Sequence, residues 1–123
     1  DQPQRNMVAE MVREQVLRLT RDELPFSTAV LIDKFQEPTE EDHMTRIWAT
    51  ILVERDSQKP IVIGRGGEMI KQIGTEARKE LEAFFETKVY LDLRVKVDPD
   101  WRNNDRTLDT LGVPRTARKP RKR

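Results

Sequence analysis

Three glycines within four positions, Gly64-Arg65-Gly66-Gly67, interrupt the apolar run Ile61-Val62-Ile63 and lead into an amphipathic stretch that begins at Glu68. Glycine has no Cβ and takes left-handed backbone angles freely, so such a turn lets another backbone approach closely. The turn opens a helix, whose free N–H groups and positive dipole end can face an anion. Arg65 sits on the turn, and Lys71 lies one helical turn after Gly67. Together these features suit a phosphodiester backbone. Ile63 and Ile70 flank the turn as candidate groove walls, whereas Ile73 reads as core. The plainer alternative is that the glycines simply make a tight turn.

The rest of the chain supplies elements around that turn. Val8, Val12, Val16 and Leu19 recur at helical spacing from Met7, with Met11 beside them, and Leu24-Pro25 stops the helix. Phe26–Phe35 reads as a strand with Thr28, Val30 and Ile32 on one face, and Gln36–His43 as an acidic loop. In Thr45–Arg55 a second strand places Ile47, Ala49, Ile51 and Val53 on one apolar face. Asp56-Ser57-Gln58 reads as a turn. After the glycine turn, a short helix Glu68–Ile73 is expected to break at Gly74. A longer helix then runs from about Thr75, as N-cap, to Glu86. Val89–Val97 alternates cleanly, so one face should be buried and one wet. Asp105–Leu111 suits a short helix closed by Gly112. The order α-β-β-α-α-β, with three strands and helices on one face, predicts an α+β two-layer sandwich.

Charge narrows the function classes. The 123 residues hold 23 Lys and Arg against 22 Asp and Glu, a net of +1. The balance conceals an asymmetry. Residues 114–123 hold Arg115, Arg118, Lys119, Arg121, Lys122 and Arg123 and no acid, which leaves Asp1–Val113 at −5. Within that acidic body, Lys59–Lys79 is locally +3. The chain has no cysteine and one histidine, His43, which rules out disulfides, thiolate chemistry and a multi-histidine metal site. No catalytic constellation, cofactor motif or metal-ligand cluster is visible, so binding rather than catalysis is expected. His43 reads as a surface residue. Trp48 and Trp101 are candidate base-stacking residues with packing as the expected role, and Met7 and Met11 read as core. No apolar run approaches the roughly 18 residues of a membrane span. There is no secretory signal, so a cytoplasmic setting is expected. Residues 1–6 are expected to fray, 7–98 to form the domain, 99–113 a short helical extension and 114–123 a disordered basic tail.

Three phosphate-holding loops deserve comparison with the turn. A dinucleotide fingerprint needs a third glycine where Met69 stands, and a nucleotide P-loop needs Gly-Lys at that same place. The pattern Val62-Ile63-Gly64-Arg65-Gly66-Gly67-Glu68-Met69-Ile70 instead resembles the Gly-x-x-Gly loop of a KH domain, which clamps about four nucleotides of a single strand. The order of elements is similar to that of a type II KH domain.

The resemblance widens on either side. Ile51-Leu52-Val53-Glu54-Arg55, the run Ile70-Lys71-x-Ile73-Gly74-x-Glu76-Ala77-Arg78-Lys79 and the ending from Val95-Lys96-Val97 through Trp101, Asp105-Arg106, Leu108 and Leu111-Gly112 resemble the C-terminal KH domain of the Era GTPase family. The match covers about residues 7–113. It implies binding of single-stranded RNA at the 3′ end of the small-subunit ribosomal RNA, during assembly of the small ribosomal subunit. The implied contacts are Ile63, Gly64, Arg65, Gly66, Gly67, Ile70 and Lys71, with Arg78 supporting the groove between the post-loop helix and the second strand. The family carries an N-terminal GTPase domain, and its resemblance also implies a peripheral association with membrane. Neither that domain nor a replacement phosphate-binding loop is present here, so a fragment or a stand-alone module is expected, without enzyme activity of its own. The basic tail departs from the family pattern. A protein-interaction module, or a KH domain that binds other RNA or single-stranded DNA, is the competing expectation.

Overall fold

A computed structural model describes residues 1–21, 24, 28–114, 116 and 118. The element order is α1 (Gln2–Leu19), β1 (Ala29–Gln36), β2 (Thr45–Val53), α2 (Lys59–Ile63), α3 (Glu68–Phe85), β3 (Val89–Val97) and α4 (Asp105–Thr110). The strands form one mixed sheet in the order β1-β2-β3, antiparallel between β1 and β2 and parallel between β2 and β3. The expected α+β arrangement, α-β-β-α-α-β, is the one observed.

The main core lies between the sheet and α1, α2 and α3. Val8, Val12 and Val16 of α1 and Ile73, Ala77 and Leu81 of α3 close over Val30, Ile32, Ile47, Ala49, Ile51 and Val53, with Val62 of α2 at one end. The residues spaced four apart on each helix form one stripe, and the alternate residues of each strand form the face that meets it. A β-bulge between Ile32 and Lys34 shifts the register, so that Phe35 rather than Lys34 turns inward and packs on Phe85 at 5.6 Å. A smaller core sits on the sheet's opposite face, where Trp101 and Leu108 of the C-terminal extension cover Ala29 and Leu52. The packing expected for Trp101 is therefore observed.

Several local expectations need correction. α1 begins at Gln2, not Met7: Asp1 accepts a hydrogen bond from the Gln4 amide at 2.9 Å, and Pro3 stands in the first turn, where its missing N–H costs nothing. Residues 2–6 are thus helical, with Asp1 as their cap, rather than frayed. The same helix ends at Leu19, capped by Thr20, whose hydroxyl donates back to the Val16 carbonyl at 2.7 Å. Met7 is exposed, and only Met11 of that pair packs on the core. β1 starts at Ala29; Pro25, Phe26 and Ser27 lie outside the described residues. The tail's expected disorder falls mostly on positions outside the description. Arg118 is described: its guanidinium donates to Asp105 at 3.1 Å, Asp109 at 2.6 Å and the Val113 carbonyl at 2.7 Å.

The helices around the glycine turn are also divided differently. Lys59–Ile63 forms the first of the pair, before the turn, and Glu68–Phe85 is one continuous helix through Gly74. Thr75 is no N-cap; its hydroxyl donates to the Lys71 carbonyl at 3.0 Å, within the helix. A glycine inside a helix is less favourable than alanine but does not end it when tertiary packing holds the helix. A Cβ at Gly74 would stand 3.7 Å from Leu93 Cδ1, an ordinary contact. Gly74→Ala is therefore expected to raise the unfolding free energy by about 0.5–1 kcal/mol in urea denaturation. A loss of stability would contradict the continuous helix.

Candidate nucleic-acid interface

The turn between α2 and α3 is built on one tight backbone contact. Gly64 caps α2 with φ +76°, its N–H bonded to the Pro60 carbonyl at 2.8 Å. A Cβ there would lie 2.6 Å from Met69 Cβ and 2.7 Å from the Met69 nitrogen, so only glycine fits against the incoming helix. Gly66 and Gly67 also have positive φ, +62° and +80°, yet nothing lies within 4 Å of a Cβ at either. These two sites are open on the outside. No side chain caps α3, whose N-cap is Gly67. The positive end of its dipole therefore faces open space beside the exposed Arg65.

From the turn, a groove of about 630 Å³ runs along α3. Ile70, Lys71, Gly74 and Arg78 form one wall, and Tyr90, Leu91 and Leu93 the other. The wall opposite α3 is thus β3, not the second strand. The reason is the strand order: β2 is central and almost wholly buried, while β3 is the edge strand beside α3. The Val89 amide donates to Glu82 at 3.0 Å, and Gly74 faces Leu93, so α3 and β3 run antiparallel. The glycine turn lies beyond Leu93 at one end of the groove, and Arg78 and Tyr90 mark the other. α3 leaves the β3 face partly uncovered, so Leu91, Leu93, Val95 and Val97 are half-buried instead of buried. That gap is the groove.

The predicted residues divide into two groups. Ile70, Lys71 and Arg78 line the groove, whereas Ile63, Gly64, Arg65, Gly66 and Gly67 form the turn at its head. Ile63 and Ile70 are half-buried and Ile73 is fully buried. Arg65, Lys71 and Arg78 are exposed and make no ion pair among the described residues. Lys79 is instead paired with Glu76 at 3.6 Å. His43 is exposed on the β1–β2 loop. Beside it, a hydrogen bond from Arg46, and then one from the Met44 amide, hold the Asp42 carboxyl below its ordinary value. Among the described residues no group of His, Cys, Asp or Glu is placed to hold a metal ion, and no helix is long and apolar enough to cross a membrane.

The family profile of the KH domain matches residues 23–102. This chain belongs to the KH domain family. The KH domain is 52% identical over 112 residues to the GTPase Era of Geobacter sp. (strain M21), covering 91% of this chain and 37% of that protein. It thus spans little more than a third of the length of the curated relatives it matches. Among solved structures it resembles an Aquifex aeolicus Era variant bound to GDP and AlF4−, with TM-score 0.80 and 43% identity over 92% of this chain and 38% of the other. It also resembles an Era in complex with MgGDPNP and nucleotides 1506–1542 of 16S ribosomal RNA, with TM-score 0.78 and 43% identity over 89% and 36% of the two chains.

Sequence reasoning missed Tyr90, Leu91 and Leu93 as groove residues of the KH domain. Their alternation placed them on opposite faces of β3, but nothing local says that β3 is an edge strand next to α3. The three glycines differ in what they support. Gly64→Ala is expected to destabilise the fold by about 2 kcal/mol or more, because left-handed strain adds to a backbone clash. Gly66→Ala, with open space around it, should cost about 1 kcal/mol. Thermal melts of the two variants test the order.

Proposed function

We propose that the KH domain binds single-stranded RNA, with the phosphates held at the glycine turn and unstacked bases docked in the α3–β3 groove. The observation that carries this reading is the combination of an open, uncapped Gly66-Gly67 turn with three cations, Arg65, Lys71 and Arg78, that make no ion pair among the described residues, beside a half-exposed apolar floor. Phosphate contacts position a strand, and the apolar floor with nearby hydrogen-bonding groups discriminates its bases. Ile63 and Ile70 bound the groove at its head.

The similarity to an Era solved with 16S ribosomal RNA supports a more specific target, the 3′ end of the small-subunit ribosomal RNA. In this reading the chain is the RNA-binding part of an Era-like GTPase that acts in the cytoplasm on the small ribosomal subunit during its assembly. The chain contributes recognition, and an N-terminal GTPase domain contributes the enzyme activity.

Fluorescence anisotropy with short RNAs tiled across the 16S 3′ end tests the proposal. Gly66→Asp with Gly67→Asp adds two negative charges where phosphates would sit, into space that is free. Affinity is expected to fall at least about tenfold while circular dichroism stays unchanged. Unchanged affinity would exclude the groove. The control is a chain ending at Arg118, which removes four tail cations and keeps the contacts to Asp105 and Asp109.

A salt titration adds a second expectation. Lys71→Ala should weaken all RNA sequences alike and lower the slope of log K against log salt by about 0.7, the value for one single-strand phosphate contact. A change in sequence preference instead would mean that Lys71 reads a base.

A further inference from the structure

Met44 and Val89 line the end of the groove away from the glycine turn. At its far end Tyr90 is 41% exposed, and it belongs to the outward face of β3, together with Asp92, Arg94 and Lys96. Its ring packs against Trp48 of β2 at 5.8 Å between centroids, tilted by 59°. The pair forms an aromatic surface on the side of the sheet away from α3, beyond the small core around Trp101. Lys34 Nζ stands 5.1 Å from the Trp48 ring centre and Arg46 Cζ 5.8 Å from that of Tyr90. Lys34 and Lys96 make no ion pair among the described residues, and Arg94 is held only loosely by Asp92 at 3.5 Å.

We propose that a single-stranded RNA leaving the groove at Arg78 turns over the β3 edge and stacks its next base on the Tyr90–Trp48 surface. This rests on the RNA-binding reading above and extends it by a second subsite. Tyr90 is the shared residue: it lines the groove and forms the edge of the outer aromatic pair. A groove of this kind takes about four nucleotides, so a longer strand must leave it somewhere. Bases stack on exposed aromatic rings whatever their sequence, and a stacked base outweighs an exposed cation over the same ring. The displaced Lys34 is then free to meet a phosphate beside that base, while Arg46 stays paired with Asp42 at 2.9 Å. Among the described residues Arg46 and Arg94 are paired with Asp42 and Asp92, so Lys34 and Lys96 are the cations this face offers a polyanion.

The experiment uses the full chain and two lengths of RNA: a core of about four nucleotides, and the same core extended by about three at its 5′ or 3′ end. Trp48→Ala is expected to weaken one extended RNA about tenfold and leave the core unchanged, because Trp48 lies outside the groove lining. Trp48→Phe should bind like the unaltered chain, since a ring remains. In the unaltered chain the extended RNA alone should quench Trp48, the half-exposed member of the two tryptophans. Equal binding of every extended RNA by Trp48→Ala overturns the proposal. An equal loss on core and extended RNA also overturns it, because the ring then serves only the groove. Gly66→Asp with Gly67→Asp keeps the two readings apart. Core binding that survives this variant overturns the groove reading, whereas a loss confined to Trp48→Ala and the extended RNA bears on the aromatic surface alone.

Discussion

The parallel pairing of β2 with β3 is the constraint on which the site depends. Parallel neighbours need a crossover connection that runs back along the sheet. Here the crossover is α2, the glycine turn and α3, and it covers the face formed by Ile47, Ala49, Ile51 and Val53. The turn therefore falls where the crossover reverses, at the end of the sheet, and α3 must lie beside β3. An edge strand covered by α3 and the short α2 does not bury its whole apolar face. Leu91 and Leu93 are left half-exposed, and the groove follows from that incomplete coverage.

Gly64 joins the two halves of this arrangement. Its missing side chain lets the backbone at Met69 approach, and that contact sets the angle at which α3 leaves the turn. Gly66 and Gly67 have no such neighbour. Their openness is directed outward, which separates a glycine that the fold requires from two that a ligand could use.

Electrostatics works through placement more than through total charge. A net of +1 would suggest indifference to nucleic acid, yet the cations at the groove, Arg65, Lys71 and Arg78, make no ion pair among the described residues. Elsewhere charges are consumed internally: Arg102 meets Glu54 at 2.6 Å, Arg46 meets Asp42 at 2.9 Å, and Arg118 meets two aspartates. The acidic remainder of the body disfavours wrapping of nucleic acid around other faces, because like charges repel within the screening length.

The amino-acid sequence by itself determined the glycine turn, the order of elements, the alternation of β3 and the stripe of valines on α1, because each depends on residues close together along the chain. It misplaced the helix boundary at Gly74, since a weak local preference there is overridden by Ile73 and Ala77 packing on the sheet. It likewise put the groove against β2. Only the tertiary structure decided that β3 is the edge strand beside α3, that Leu91 and Leu93 form the groove floor, and that Tyr90 stands where the groove meets the outer face. Those facts depend on which strands pair and which faces a helix covers. Such pairings join residues far apart in sequence, and local spacing carries no record of them.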